Sequence, residues 1–193
     1  MEITLDIKKE RLINTLNKRN FNYRLECIEM LSDVGYDLDK SYELLNKIKF
    51  INTKPINYIN DNRIIKYIKT FEHVCLLLNI DINKFNEKYK YLTKSEIAQY
   101  KLLLINKVFN EDWLEDYNNS NQYKYTPYFI FKNGSFSYND YGNWFGVSCV
   151  GFGWGFKNKE LCEYVGKQFI EIYNDWLMRD NVIDGIIKDC TIQ

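Results

Sequence analysis

Residues 125–140 read YTPYFIFKNGSFSYND, and the Asn133-Gly134 pair near their centre decides the fold. Asn-Gly favours a type I′ turn, because both central positions need positive φ, and that turn joins two antiparallel strands whose twist it matches. A two-residue loop also fixes the register. Lys132 then faces Ser135, Phe131 faces Phe136, Ile130 faces Ser137 and Phe129 faces Tyr138. In that register Phe129, Phe131, Phe136 and Tyr138 share one face. Lys132, Ser135, Ser137 and Ile130 share the other, which is mostly polar. A lone hairpin is marginal in water, so the aromatic face needs a cover.

The cover is expected downstream. Residues 145–156 alternate glycine with bulk, the pattern of a third strand: Val150, Phe152, Trp154 and Phe156 one way, Cys149, Gly151, Gly153 and Gly155 the other. Asn158 is placed to cap a helix over 159–177 with Leu161, Val165, Phe169, Ile172 and Trp176 as its apolar stripe. Glu160, Glu163, Lys167, Glu171 and Asn174 fall on its wet side. The expected unit is a three-stranded antiparallel sheet with this helix laid on the aromatic face. Gly166 in mid-helix costs about 1 kcal/mol relative to alanine, so its presence points to close packing against the sheet. Residues 181–190 are expected to add a short final helix.

Upstream, the polar stretch EDYNNSNQYKYT (115–126) reads as a loop. Thr93 and Glu96 form a capping box that opens a helix over 94–113, striped by Ala98, Leu102, Ile105, Phe109 and Trp113. Earlier helices are expected at 6–18, at 22–34 (stopped by Gly35), at 38–50 (ended near Pro55) and at 82–90. Between them, a helix capped by Asp61 or Asn62 carries Ile64, Ile68, Phe71, Cys75 and Leu78 at steps of four and three. The fold class is therefore α+β: a helical N-terminal part (1–92), then a helix, an aromatic antiparallel sheet and a closing amphipathic helix (93–193). The two parts share one core or have one each.

With 46% hydrophobic and 27% charged residues the chain has a globular composition, which excludes disorder. The 26 basic and 26 acidic side chains cancel, so no global field draws it to nucleic acid or anionic membrane. Residues 114–193 carry 7 basic and 10 acidic groups, too even a balance to name a partner. Cys27, Cys75, Cys149, Cys162 and Cys190 are odd in number and widely spaced, the usage of reduced, buried thiols. The N-terminus has no apolar signal core and no run approaches the roughly 18–20 apolar residues of a membrane span. The expected location is the cytoplasm.

Candidate chemistry is sparse. Gly151-Phe-Gly-Trp-Gly155 lacks G-x-G-x-x-G spacing and no parallel strand follows it, so a nucleotide site is disfavoured; the glycines let backbone, a loop or a partner approach closely. His73 is the only histidine, which argues against a triad and against zinc. Glu111, Asp112, Glu115 and Asp116 cluster ahead of the hairpin, where a solvated loop outweighs acid–base or cation chemistry. No cofactor or metal is expected. The surface favoured for a protein partner comprises Tyr141, Trp144 and Phe145 with Gly151 and Gly153, since aromatic anchors on a rigid edge suit interfaces. The alternative is nucleic-acid binding by the basic segment Lys47, Lys49, Lys54, Arg63, Lys66 and Lys69, interleaved with Phe50, Tyr58 and Tyr67.

Two blocks carry a family resemblance: FNEDWLEDYNNSNQYKYTPYF (109–129) and FKNKELCEYVGKQFIEIYNDWL (156–177). Over residues 93–177 the chain resembles uncharacterised proteins of phages and prophages of gut Bacteroides-like bacteria. Their pattern is a helix ahead of S-N-Q-Y-K-x-x-P-Y-F, a variable aromatic hairpin, and E-L-x-E-Y-x-G-K-Q-F opening the last helix. Residues 151–155 are richer in glycine here than in that pattern. The resemblance assigns no role to any residue. It implies a phage accessory protein acting inside the infected cell; a virion component is kept as a separate, third alternative.

Overall fold

The computed structural model describes residues 24–46, 64–111, 113–146 and 153–178. The protein is α+β, mostly helical with a two-stranded antiparallel sheet, and divides into two compact units, residues 1–80 and 81–193. Among the described residues no helix is long and apolar enough to cross a membrane. The expected helices at 6–18 and 181–190, and the cap at Asp61 or Asn62, lie outside the described residues.

In the first unit, α1 (Arg24–Asp33) buries Leu25, Ile28 and Leu31. It ends in a left-handed turn at Gly35, φ +90°, where the N–H groups of Gly35 and Tyr36 return to the carbonyls of Ser32 and Leu31. Those two bonds satisfy carbonyls that the helix end would otherwise orphan. Asp37 then caps α2 (Leu38–Asn46), its carboxylate accepting from the Lys40 N–H at 2.7 Å.

The single helix expected after residue 61 is broken in two. α3 (Ile64–Tyr67) stops, and α4 (Phe71–Leu77) starts afresh with Thr70 as its N-cap, extended at φ −133° and accepting from the His73 N–H. The apolar spacing survives the break, because Ile64, Ile68, Phe71 and Cys75 are all buried. Thr70 prevails because its hydroxyl offers the chain a cap in place of a helical bond. α4 closes on Asn79, φ +59°, with the same pair of return bonds as α1, from Asn79 to Leu76 and from Ile80 to Cys75.

The second unit begins with α5 (Ile82–Tyr89), capped by Asp81, and α6 (Lys94–Asn110), opened by the complete Thr93–Glu96 capping box. α6 stops three residues earlier than the stripe suggests: Glu111 takes φ +56°, and Trp113 lies beyond the helix, half-buried. The strands β1 (Lys124–Lys132) and β2 (Ser135–Trp144) pair in the expected register from Lys132↔Ser135 through Phe129↔Tyr138, around a turn with φ +52° and +82° at Asn133 and Gly134. Beyond that the register shifts. Tyr128 pairs with Asp140, leaving Asn139 as the extra residue of a bulge.

A third strand over 145–156 is not found among the described residues; 147–152 lie outside them. Residues 153–155 are non-strand, and contact with the sheet is one antiparallel bridge, Phe156 to Tyr125. Their backbone bonds go to side chains instead. The Glu115 carboxylate accepts the N–H groups of Gly153 and Gly155, and Asn110 takes that of Lys157.

The closing helix also comes in two pieces, α7 (Lys159–Gln168), capped by Asn158, and α8 (Ile170–Leu177), hinged at Phe169. Both lie on the aromatic face of the hairpin. Gly166 meets Pro127 and Tyr138, and Tyr173 packs on Phe129 with ring centres 4.5 Å apart. Phe169, 3% exposed, meets Phe109 of α6 edge-on at 6.0 Å. Burying such a ring contributes roughly 1.5–3 kcal/mol. Asn174 departs from the expected wet side. Its carboxamide accepts from the Phe136 N–H (2.7 Å) and donates to the Phe136 carbonyl (2.8 Å), filling the place of a neighbouring strand on the outer edge of β2.

Candidate functional site

The bulge at Asn139 decides which aromatics can act together. Side chains alternate along a strand, so one extra residue moves everything after it to the opposite face. Tyr141 therefore pairs with Pro127 on the side of α7, while Trp144 pairs with Lys124 on the side away from it. Trp144 turns its indole N–H to the Thr126 hydroxyl at 3.2 Å and meets Tyr128 edge-on at 6.5 Å. The Tyr128 ring lies over Gly142, where a Cβ would come within 2.8 Å of it.

On the other side a continuous aromatic strip forms. Ring centres run from Phe145 to Tyr123 at 5.7 Å, Tyr123 to Tyr125 at 6.4 Å, and Tyr125 to Tyr141 at 5.7 Å. Tyr123 is 47% and Phe145 49% exposed; Tyr125 and Tyr141 are half-buried. Lys159, at the start of α7, closes the strip with its ammonium 4.9 Å from the centre of the Tyr141 ring. Its pKa is raised, first by a hydrogen bond with Tyr141 and then by the charges of Tyr141 and Glu163. Of the residues expected at a partner surface, Tyr141 and Phe145 thus come together, Trp144 is on the opposite face, and Gly151 lies outside the described residues.

Gly153 is not on an open face. Its N–H, and that of buried Gly155, are taken by Glu115; a Cβ on Gly155 would fall 2.6 Å from the Glu115 carboxylate and 3.1 Å from Lys124. The close approach that the glycines permit is made by the chain's own acidic loop. The buried carboxamides of Asn106 and Asn110 both donate to the Gly155 carbonyl, at 3.1 and 2.7 Å. Glu111 pairs with Lys157 at 3.1 Å, both largely shielded from water. Two of the clustered acids are thus committed to holding backbone or a lysine. Among the described residues no group of three or more His, Cys, Asp or Glu stands together to hold a metal ion.

Lys124 is the unexpected residue. It is 1% exposed, its ammonium lies 5.1 Å from the centre of the Tyr117 ring, and it donates to the carbonyls of Asp116, Gln122 and Phe145. A lysine in a polar stretch reads as solvated, and its place opposite Trp144 arises only from the bulge at Asn139.

In the other unit, His73 stacks flat on Tyr42 (3.7 Å, 4°) and accepts the Lys69 N–H at Nδ1. Burial lowers its pKa, opposed by the charges of Asp39 and Glu72 and assisted by that of Lys69. It braces the α3–α4 break. In the basic segment, Lys69 donates its ammonium back to the Ile65 carbonyl at 2.7 Å, and burial lowers its pKa. Lys66 is exposed, its ammonium 5.1 Å from the Tyr67 ring centre. Lys47, Lys49, Lys54 and Arg63 lie outside the described residues.

No family model matches the chain, and neither a curated protein nor a solved structure matches it significantly.

Proposed function

We propose that this chain is a phage-encoded accessory protein without catalytic activity, and that it binds a protein partner through the strip Phe145, Tyr123, Tyr125 and Tyr141. The observation that carries the reading is two half-exposed rings continuing into two half-buried ones on a braced hairpin. Tyrosine and phenylalanine give a partner large contact area at low entropic cost, and a few such anchors dominate interface energies. Protein is favoured over nucleic acid because the cation beside the strip, Lys159, is held by the Tyr141 ring and by Glu163 at 3.6 Å rather than left for a phosphate. The phage origin rests on the resemblance of residues 109–129 and 156–177.

The test is affinity capture from infected host cells with the wild type, the double variant Tyr123→Ala/Phe145→Ala, and Tyr128→Ala on the opposite face. A specific protein held by the wild type and Tyr128→Ala, and lost by the double variant, is expected. Capture that survives the double variant, or no specific protein with any bait, refutes the reading.

A further inference from the structure

We infer that Lys124 is the positioning residue of this aromatic surface, a buried cation that sets the spacing of Tyr123 and Phe145; the inference rests on the binding reading above. A lysine ammonium carries three donors and no acceptor. Here all three are used, on carbonyls from three separate points of the chain. Asp116 lies at the start of the loop. The Gln122 carbonyl, 2.7 Å from Nζ, belongs to the peptide that leads directly into Tyr123. The Phe145 carbonyl, at 2.9 Å, belongs to the other exposed ring itself, just past the end of β2.

One nitrogen thus fixes the backbone on both sides of the 5.7 Å ring pair. The ring pair has no strand ladder of its own, because Tyr123 precedes β1 and Phe145 follows β2. An ammonium taken out of water is tolerated only where hydrogen bonds replace its hydration, so the cage and the cation specify each other. The Tyr117 ring supplies a fourth wall, and its hydroxyl donates to Glu115 at 3.1 Å, linking the cation to the carboxylate that holds Gly153 and Gly155.

The experiment compares the full-length wild type, Lys124→Met and Lys124→Ala by NMR. The contact between the Tyr123 and Phe145 rings reports the surface; that between Phe129 and Tyr173 reports the fold. Lys124→Met keeps the apolar stem and lacks the donors, so the first contact is expected to disappear and the second to persist. Adding n-propylammonium chloride to Lys124→Ala, which restores the missing atoms, is expected to bring the ring contact back, while n-propanol with matched sodium chloride does not.

A ring contact unchanged in Lys124→Met, or rescue by the alcohol alone, overturns the inference. If both variants lose the Phe129–Tyr173 contact, the wild-type ammonium decides: resonances protected from solvent exchange and in contact with Tyr117 uphold the cage, and rapid exchange overturns it. None of these readouts uses a partner, so failure of the binding reading in the capture experiment is seen separately.

Discussion

Replacing Gly166 with alanine sets two effects of opposite sign against each other. Alanine is the better helix former by about 1 kcal/mol, so on helix propensity alone the variant is more stable. The packing says otherwise. A Cβ at residue 166 would lie 2.6 Å from Cδ2 of Tyr138 and 2.9 Å from Cβ of Pro127, where ordinary contact begins near 3.4 Å. Neither neighbour yields cheaply: the proline carbon is tied by its ring to β1, and the tyrosine carbon lies near the root of its ring. Helix α7 must therefore lift from the hairpin, and overpacking of this kind costs roughly 1–3 kcal/mol. With both neighbours on the sheet, the upper part of that range applies, for a net loss of about 1–2 kcal/mol. For a unit of this size that is roughly 4 °C in Tm per kcal/mol. All four tryptophans (Trp113, Trp144, Trp154 and Trp176) fall in residues 81–193, so urea unfolding followed by tryptophan fluorescence reports this unit. Tyr138→Ala removes the ring, and the double variant should be more stable than the two single losses added together. A Gly166→Ala protein more stable than the wild type would refute the close approach of helix to sheet.

Two further outcomes follow from buried polar groups. His73 has a folded pKa below its ordinary 6.5, so the unfolded chain takes up the proton first. The stabilisation it gives is complete above about pH 6.5 and is lost as pH falls from there toward the lower folded value. The wild type should lose this increment in mild acid and His73→Gln should not, read as hydrogen exchange of the Val74 and Cys75 amides; parallel pH profiles would exclude the effect. Asn174→Ala strips both partners from the Phe136 backbone and uncovers the outer edge of β2 to water, a net cost of about 0.5–1.5 kcal/mol for each lost hydrogen bond. Faster exchange at the Phe136 amide, with concentration-dependent association in sedimentation, is the expected result; an unchanged amide rate would show the clasp to be energetically idle.

Much of the second unit was legible because its signals are local. Asn133-Gly134 sets the hairpin register, the Thr93–Glu96 box starts α6, and Gly166 marks close packing, each through chemistry confined to a few residues. The bulge was not legible, since nothing in Ser-Tyr-Asn-Asp distinguishes an inserted Asn139 from a paired one. Counting on from the turn without it would exchange the faces of Tyr141 and Trp144. The α3–α4 break was hidden by an apolar stripe that continues at helical spacing across Thr70. The roles of Lys124, Glu115 and Asn174 were missed for one reason: a charged or amide side chain in a polar stretch reads as solvated. Burial of such a group depends on carbonyls and N–H groups brought in from up to 40 residues away, as Glu115 shows with Gly155.

The irregular pairing beside Asn139 also bears on how such a protein changes its surface. Trimming that single residue would swing every later β2 side chain through the sheet, hiding one set of rings and unveiling the other while the turn and the paired positions before it stayed as they are. Insertion or loss of one residue at this spot would therefore redraw the exposed chemistry more sharply than any point substitution along the strand.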